Sequence, residues 1–176
     1  MTSSKRLEIT GSALVFITTT VTDWIPIFMN HNYAQVVTAQ LEETMDYFNA
    51  SIVGYIVMPS HIHILAGLKN YDSISQIVQT YKSITSRKLK SRILNEYPEA
   101  FLVNGQFQFW KRRFDDIVIY SEQQFKIKLE YIHNNPVKSG LVDESIKWKY
   151  SSAIDWLTDK KGLIKIDKDY SWLELE

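Results

Sequence analysis

Hydrophobic and polar positions change period along the chain, and the changes mark out its elements. Residues 14–21 are a β-branched and aromatic run, which predicts a strand. Residues 32–48 place Val36, Val37, Leu41, Thr44, Met45 and Phe48 at helical spacing. Residues 52–58 read as a second strand, Pro59-Ser60 as a turn and residues 61–68 as a third strand, so the pair forms a hairpin. Ser73 with Gln76 makes a capping-box pattern that opens a helix, with Ile74, Ile77, Val78, Tyr81 and Ile84 as its apolar stripe. Residues 97–108 are aromatic and turn-rich, and residues 116–120 predict a fourth strand. Ser121 with Gln124 repeats the capping pattern and opens a helix that Pro136 ends, with Gly140 just beyond.

The order β-α-β-β-α-β-α predicts an α+β fold, a ferredoxin-like sandwich in which an antiparallel sheet carries helices on one face. A length of 176 residues suits one domain with a real core. Residues 1–154 hold all the predicted elements, and residues 155–176 are an acidic tail with no assigned role. The polar N-terminus, with Lys5 and Arg6, lacks a signal-peptide pattern, and no apolar run approaches a membrane span. A soluble cytoplasmic protein is therefore expected. The chain has no cysteine, which excludes disulfides, thiolate metal sites and a cysteine nucleophile.

The net charge of zero argues against coating nucleic acid by bulk electrostatics, but its distribution tells more. Residues 69–138 hold 12 basic and 7 acidic side chains, flanked by acidic segments. Lys82, Arg87, Lys88, Lys90 and Arg92 lie on or after the second helix. Lys111, Arg112 and Arg113 follow Phe107, Phe109 and Trp110, and Lys126, Lys128 and Lys138 lie on or near the third helix. Cations interleaved with rings suit single-stranded nucleic acid, where charge holds phosphates and rings stack on bases. The alternative is a solvated helix face beside core aromatics.

His61 and His63 stand at i and i+2 on the third strand. They share one face, with Cα atoms roughly 6.5 Å apart, while Ile62, Ile64 and Ala66 point into the core. Two imidazoles so placed can converge on one divalent cation, although a third ligand must come from elsewhere. The alternative is a pair of ordinary surface histidines.

On the third helix, Phe125, Leu129 and Ile132 form a core stripe at about 100° per residue. Tyr131 and Asn135 are one turn apart on the neighbouring face with Gln124, Ile127 and Lys128, and His133 falls nearly opposite Tyr131. Tyr131 is either a half-buried amphipathic tyrosine or a nucleophile. A phenol with pKa near 10 needs a metal, a base or a cation to attack phosphorus. The histidine pair offers the metal, Lys128 the cation, and the Asn135 carbonyl a third ligand.

Met58-Pro59-Ser60-His61-Ile62-His63 after a strand, followed 68 residues later by Tyr131-Ile132-His133-Asn134-Asn135-Pro136-Val137-Lys138-Ser139-Gly140, resembles the REP-associated tyrosine transposases of the HUH superfamily. Phe109-Trp110-Lys111-Arg112-Arg113-Phe114-Asp115 resembles the family's segment ahead of the tyrosine helix. The resemblance implies a ferredoxin-like fold, a Mg²⁺ or Mn²⁺ ion held by His61, His63 and Asn135, and Tyr131 as nucleophile. It implies cleavage and rejoining of single-stranded DNA at or near hairpins through a 5′-phosphotyrosine. A homodimer and a monomer are both compatible with it. A domesticated, non-cleaving module that binds nucleic-acid hairpins would use the same basic middle, whereas a purely structural domain would have no nucleic-acid affinity.

Overall fold

β1 (Ala13–Thr20) runs up the middle of a four-stranded antiparallel sheet with the order β2-β3-β1-β6. Its neighbours are β2 (Ser51–Met58) and β3 (His61–Leu68), joined by the tight Pro59-Ser60 turn, and β6 (Asp115–Val118) on the far edge. The computed structural model describes residues 11–171, so Lys5, Arg6 and the last five residues of the tail lie outside it.

Alternation along the strands decides what each face of the sheet meets. Ala13, Val15, Ile17, Ile62, Ile64, Ala66 and Leu68 point to one side, where α1 (His31–Tyr47) and α2 (Ile74–Glu96) cover them. Tyr33, Val37, Leu41 and Met45 of α1 interleave there with Ile77, Val78, Tyr81, Leu89 and Ile93 of α2. Leu14, Phe16, Val53, Ile56, Met58 and Leu65 point the other way, onto Ile132, Phe125 and Leu129 of α3 (Glu122–Lys138). Helices on one face thus describes α1 and α2, while α3 packs against the opposite face. Its Phe125–Leu129–Ile132 stripe does face a core, but the second one.

A bulge between Ile52 and Gly54 lets Val53 join this second core. Gly54 then brings α3 close: a Cβ there would lie 2.9 Å from Leu129 Cδ1. α3 starts on Ser121, whose Oγ accepts the Gln124 N–H (3.1 Å), while Gln124 Oε1 accepts the N–H of Tyr120 (2.8 Å).

Two expectations about helix ends need correction. Ser73 does not cap α2, because its hydroxyl donates to the Asn70 carbonyl (2.6 Å) within a short 3-10 turn. Pro136 does not end α3, which continues to Lys138. So near the C-terminus a proline forfeits one hydrogen bond, and its ring is buried instead. The helix stops at Gly140 (φ 69°), where the N–H groups of Gly140 and Leu141 bond the carbonyls of Val137 (3.0 Å) and Pro136 (2.9 Å).

Two smaller elements complete the chain. β4 (Leu102–Val103) and β5 (Gln106–Phe107) form a hairpin whose Asn104-Gly105 turn has φ 51° and 74°, the twist such short turns require. α4 (Ala153–Leu157) lies beyond α3, and the described residues after it pack back on the sheet. Asp167 pairs with β2 through its N–H on the Ile52 carbonyl (2.8 Å) and its carboxylate on Ser51 Oγ (2.7 Å). Tyr170 lies on Gly67, in space that a Cβ would occupy, and Ile164 enters the α1–α2 core. Residues 155–171 therefore strap the β2 edge and the end of the sheet away from the histidines.

Candidate functional site

The β1–β3 register builds the site from its floor. His61 pairs with Thr20, His63 with Thr18 and Leu65 with Phe16, so these side chains share the α3-facing side. The His63 ring stacks on Phe16 (centroids 5.2 Å apart, 22° between planes), and its Nδ1 hydrogen-bonds Thr18 Oγ1 at 2.8 Å. His61 stands beside it, ring centroids 4.8 Å apart, with the Trp24 indole edge-on at 5.5 Å.

Burial holds both imidazoles neutral. It lowers the pKa of His61 and pushes that of His63 down to about 3, where the His61 and Lys128 charges add to the effect. Neutral imidazoles keep lone pairs for a ligand or a proton. When Nδ1–H of His63 donates to Thr18, Nε2 carries the free lone pair.

α3 delivers Tyr131 to that nitrogen. Its hydroxyl lies 3.5 Å from His63 Nε2, too long for a strong hydrogen bond but within one atom's reach. The Tyr131 ring meets His63 at 5.2 Å and Phe16 at 6.0 Å, both edge-on, and the residue is 41% exposed. One turn earlier, Lys128 places Nζ 4.6 Å over Phe16 and 5.9 Å from the Tyr131 ring centre. Asn135, one turn later, has its amide nitrogen buried without a hydrogen-bond partner. His133 is buried on the other side of α3, where Nε2 meets Ser152 Oγ at 2.9 Å, in keeping with its position opposite Tyr131.

Two neutral imidazoles can each offer a nitrogen lone pair to a divalent ion, and on Asn135 the group able to join them is the side-chain carbonyl oxygen, since the unpartnered amide nitrogen can only donate. Asp115 occupies the same sheet row through Thr18, yet among the described residues no three His, Cys, Asp or Glu side chains come close enough to hold a metal.

The predicted basic residues separate by layer. Lys82 is drawn inward, its ammonium donating to the carbonyls of Lys111 and Arg113 (both 2.9 Å), and burial pushes its pKa down to about 8. Lys88 pairs with Glu43 at 3.2 Å on the α1–α2 layer, where Arg87 is also exposed. Lys111 and Lys128 border the histidine side, Arg112 and Arg113 are exposed beside Lys111, and Lys138 is exposed in the last turn of α3. Sequence reasoning missed Phe16, Thr18 and Trp24. Only the strand pairing and the turn after β1 bring them to the histidines.

The fold is thus a ferredoxin-like sheet bearing paired histidines on the face covered by α3, which presents Tyr131 to them. The family described as Transposase IS200 like matches residues 17–135, and the chain belongs to that family. A Haemophilus influenzae protein named as a REP-associated tyrosine transposase is 28% identical over 153 residues, covering 85% of each chain. A solved REP-associated tyrosine transposase bound to a REP hairpin superposes with a TM-score of 0.70 at 20% identity, over 97% of this chain and 96% of that one. A transposase from Deinococcus radiodurans r1 aligns more loosely, with a TM-score of 0.48 at 16% identity, over 76% of this chain and 97% of that one. No helix among the described residues is long and apolar enough to cross a membrane.

Proposed function

We propose that this transposase cleaves and rejoins single-stranded DNA at or near hairpins, with Tyr131 as nucleophile. The observation that carries the reading is the Tyr131 hydroxyl at 3.5 Å from His63 Nε2, across 68 residues of chain. Hairpin DNA is the proposed partner because the relative with the matching fold was solved on a REP hairpin.

The chain's own groups account for the chemistry. Tyr131 is open to solvent, so its proton can leave to water, and the Lys128 ammonium lies 5.9 Å from the centre of its ring. The phenolate oxygen attacks phosphorus; a Tyr131 O–P bond forms and the P–O3′ bond breaks. The departing O3′ takes a proton from water, so the products are a 5′-phosphotyrosine and a free 3′-hydroxyl. Attack by a 3′-hydroxyl on the phosphotyrosine reverses the exchange, so no nucleotide cofactor is consumed. His61, His63 and Asn135 would hold the Mg²⁺ or Mn²⁺ ion, which when bound polarises the scissile phosphate and offsets its growing charge. Phe16 and Thr18 hold His63 in one orientation while this happens.

The test incubates the protein with hairpin DNA carrying single-stranded flanks, with and without Mn²⁺, and follows denaturant-resistant adducts on a gel. An adduct that requires the metal and disappears in Tyr131→Phe is expected. An adduct that survives Tyr131→Phe removes Tyr131 from its role. Tight binding with no cleavage on any flank favours a hairpin-binding module instead.

A further inference from the structure

Trp24 stands apart from the other tryptophans among the described residues. Trp110 is buried with its indole N–H on Thr85 Oγ1 (2.9 Å), and Trp148 and Trp156 donate theirs to the carbonyls of Val57 (3.0 Å) and Val53 (2.8 Å). Trp24 is 54% exposed. Its backbone is also unusual. Asp23 and Trp24 have φ of 52° and 57°, two successive non-glycine residues in the left-handed region. That conformation is costly for L-residues and persists where the surroundings impose it, often beside a ligand.

The surroundings here do impose it. The Thr22 N–H donates to the Phe109 carbonyl (2.9 Å) and its hydroxyl to the Gln108 carbonyl (2.7 Å). The Trp24 N–H donates to the Val21 carbonyl (3.1 Å) and the Lys111 N–H to the Thr20 carbonyl (2.8 Å). The turn after β1 and the 108–111 segment are therefore tied into one unit. That unit brings a flat ring and an ammonium together at the edge of the histidine pair. Lys111 Nζ lies 4.8 Å from the centre of the Trp24 ring, and the ring stands edge-on to His61.

We propose that Trp24 and Lys111 form a nucleotide subsite, in which the indole stacks on an unpaired base beside the scissile phosphate and Lys111 binds that nucleotide's phosphate. The proposal rests on the reading of the histidine site as one that works on single-stranded DNA. Each part of the chemistry has a place. An indole held on a fixed backbone loses little freedom on stacking, and every base offers a π face. Lys111 covers the ring in the free protein and exchanges that contact for a phosphate when the base arrives. A metal-ligand role is excluded for Trp24, because indole nitrogen is a donor only. A core role is excluded by its exposure.

The experiment measures affinity by fluorescence polarisation in Mg²⁺, in a Tyr131→Phe background that prevents turnover. Two probes are compared: a hairpin with short single-stranded extensions on both sides, and the same hairpin with none. The parent should prefer the extended probe. Trp24→Ala should lower affinity for that probe about tenfold, with the bare hairpin unchanged, and Trp24→Phe should retain most of the preference. Lys111→Gln, which leaves the ring in place, should weaken the extended probe alone. Equal losses on both probes, or no loss in either variant, overturn the subsite while the proposed function stands. A parent that binds neither probe overturns both.

Discussion

At the scale of the residue, the site depends on side chains that fix other side chains. Thr18 is the clearest, since its hydroxyl decides which nitrogen of His63 remains free. Thr18→Val should weaken Mn²⁺ binding about tenfold or more by calorimetry, while Thr18→Ser should retain it. Equal affinity in Thr18→Val would show that the hydroxyl orients nothing. His133 works through burial instead, which pushes its pKa down to about 4 from an unfolded value of about 6.5. The folded state then binds fewer protons than the unfolded one between those values. Its contribution to stability is complete above pH 6.5 and is lost as pH falls toward 4. Melting temperatures should drop across that window, and His133→Gln, able to keep a bond to Ser152, should flatten the slope.

At the scale of the element, α3 carries the chemistry and its two ends are built differently. Ser121 starts it with a side-chain cap, and Gly140 stops it with a left-handed residue. Gly140→Ala should cost about 1 kcal/mol in urea unfolding, because a Cβ disfavours φ 69° although nothing crowds it. The same substitution at Gly105 affects only the β4–β5 hairpin and should leave cleavage unchanged. The contrast in legibility is also at this scale. β1, β2, β3, β6, α1, α3 and the sharing of one face by His61 and His63 follow from local period, which a short window of sequence carries, whereas β4 and β5 lie in residues read only as aromatic and turn-rich. The Ser121 cap was readable for the same reason. The Ser73 cap was not, because Asn70 competes for the same hydroxyl three residues upstream. Pro136 misled because a helix end depends on where the ring is buried as well as on the missing N–H. Phe16 and Thr18 join the site through the β1–β3 register, a contact across 45 residues that no local pattern encodes.

At the scale of the molecule, neutrality hides a division of labour. Lys82 ties the 111–113 segment to α2, and Lys88 pairs with α1, so part of the basic middle is structural. Arg112 and Arg113 remain exposed, next in sequence to Lys111. Replacing both with Ala should weaken hairpin binding and reduce its salt dependence by about one unit of log–log slope per residue, whereas Lys88→Ala should change neither. A salt slope unaffected by the arginines would place the DNA elsewhere. The tail belongs to this scale too. Its acidic composition assigned it no role, and Asp167 and Tyr170 bind it to the sheet end opposite the histidines. Such a strap has no periodic signal, because each contact is made to a different element.

The central claim is that Tyr131 takes the DNA strand onto itself. The direct measurement is mass spectrometry of peptides from protein incubated with flanked hairpin DNA and Mn²⁺, then digested with nuclease and protease. The account predicts a nucleotide attached through phosphate to the phenolic oxygen of Tyr131. Attachment at another tyrosine, such as the exposed Tyr120 or Tyr47, would contradict it. So would complete cleavage of the DNA with every tyrosine left unmodified throughout the reaction.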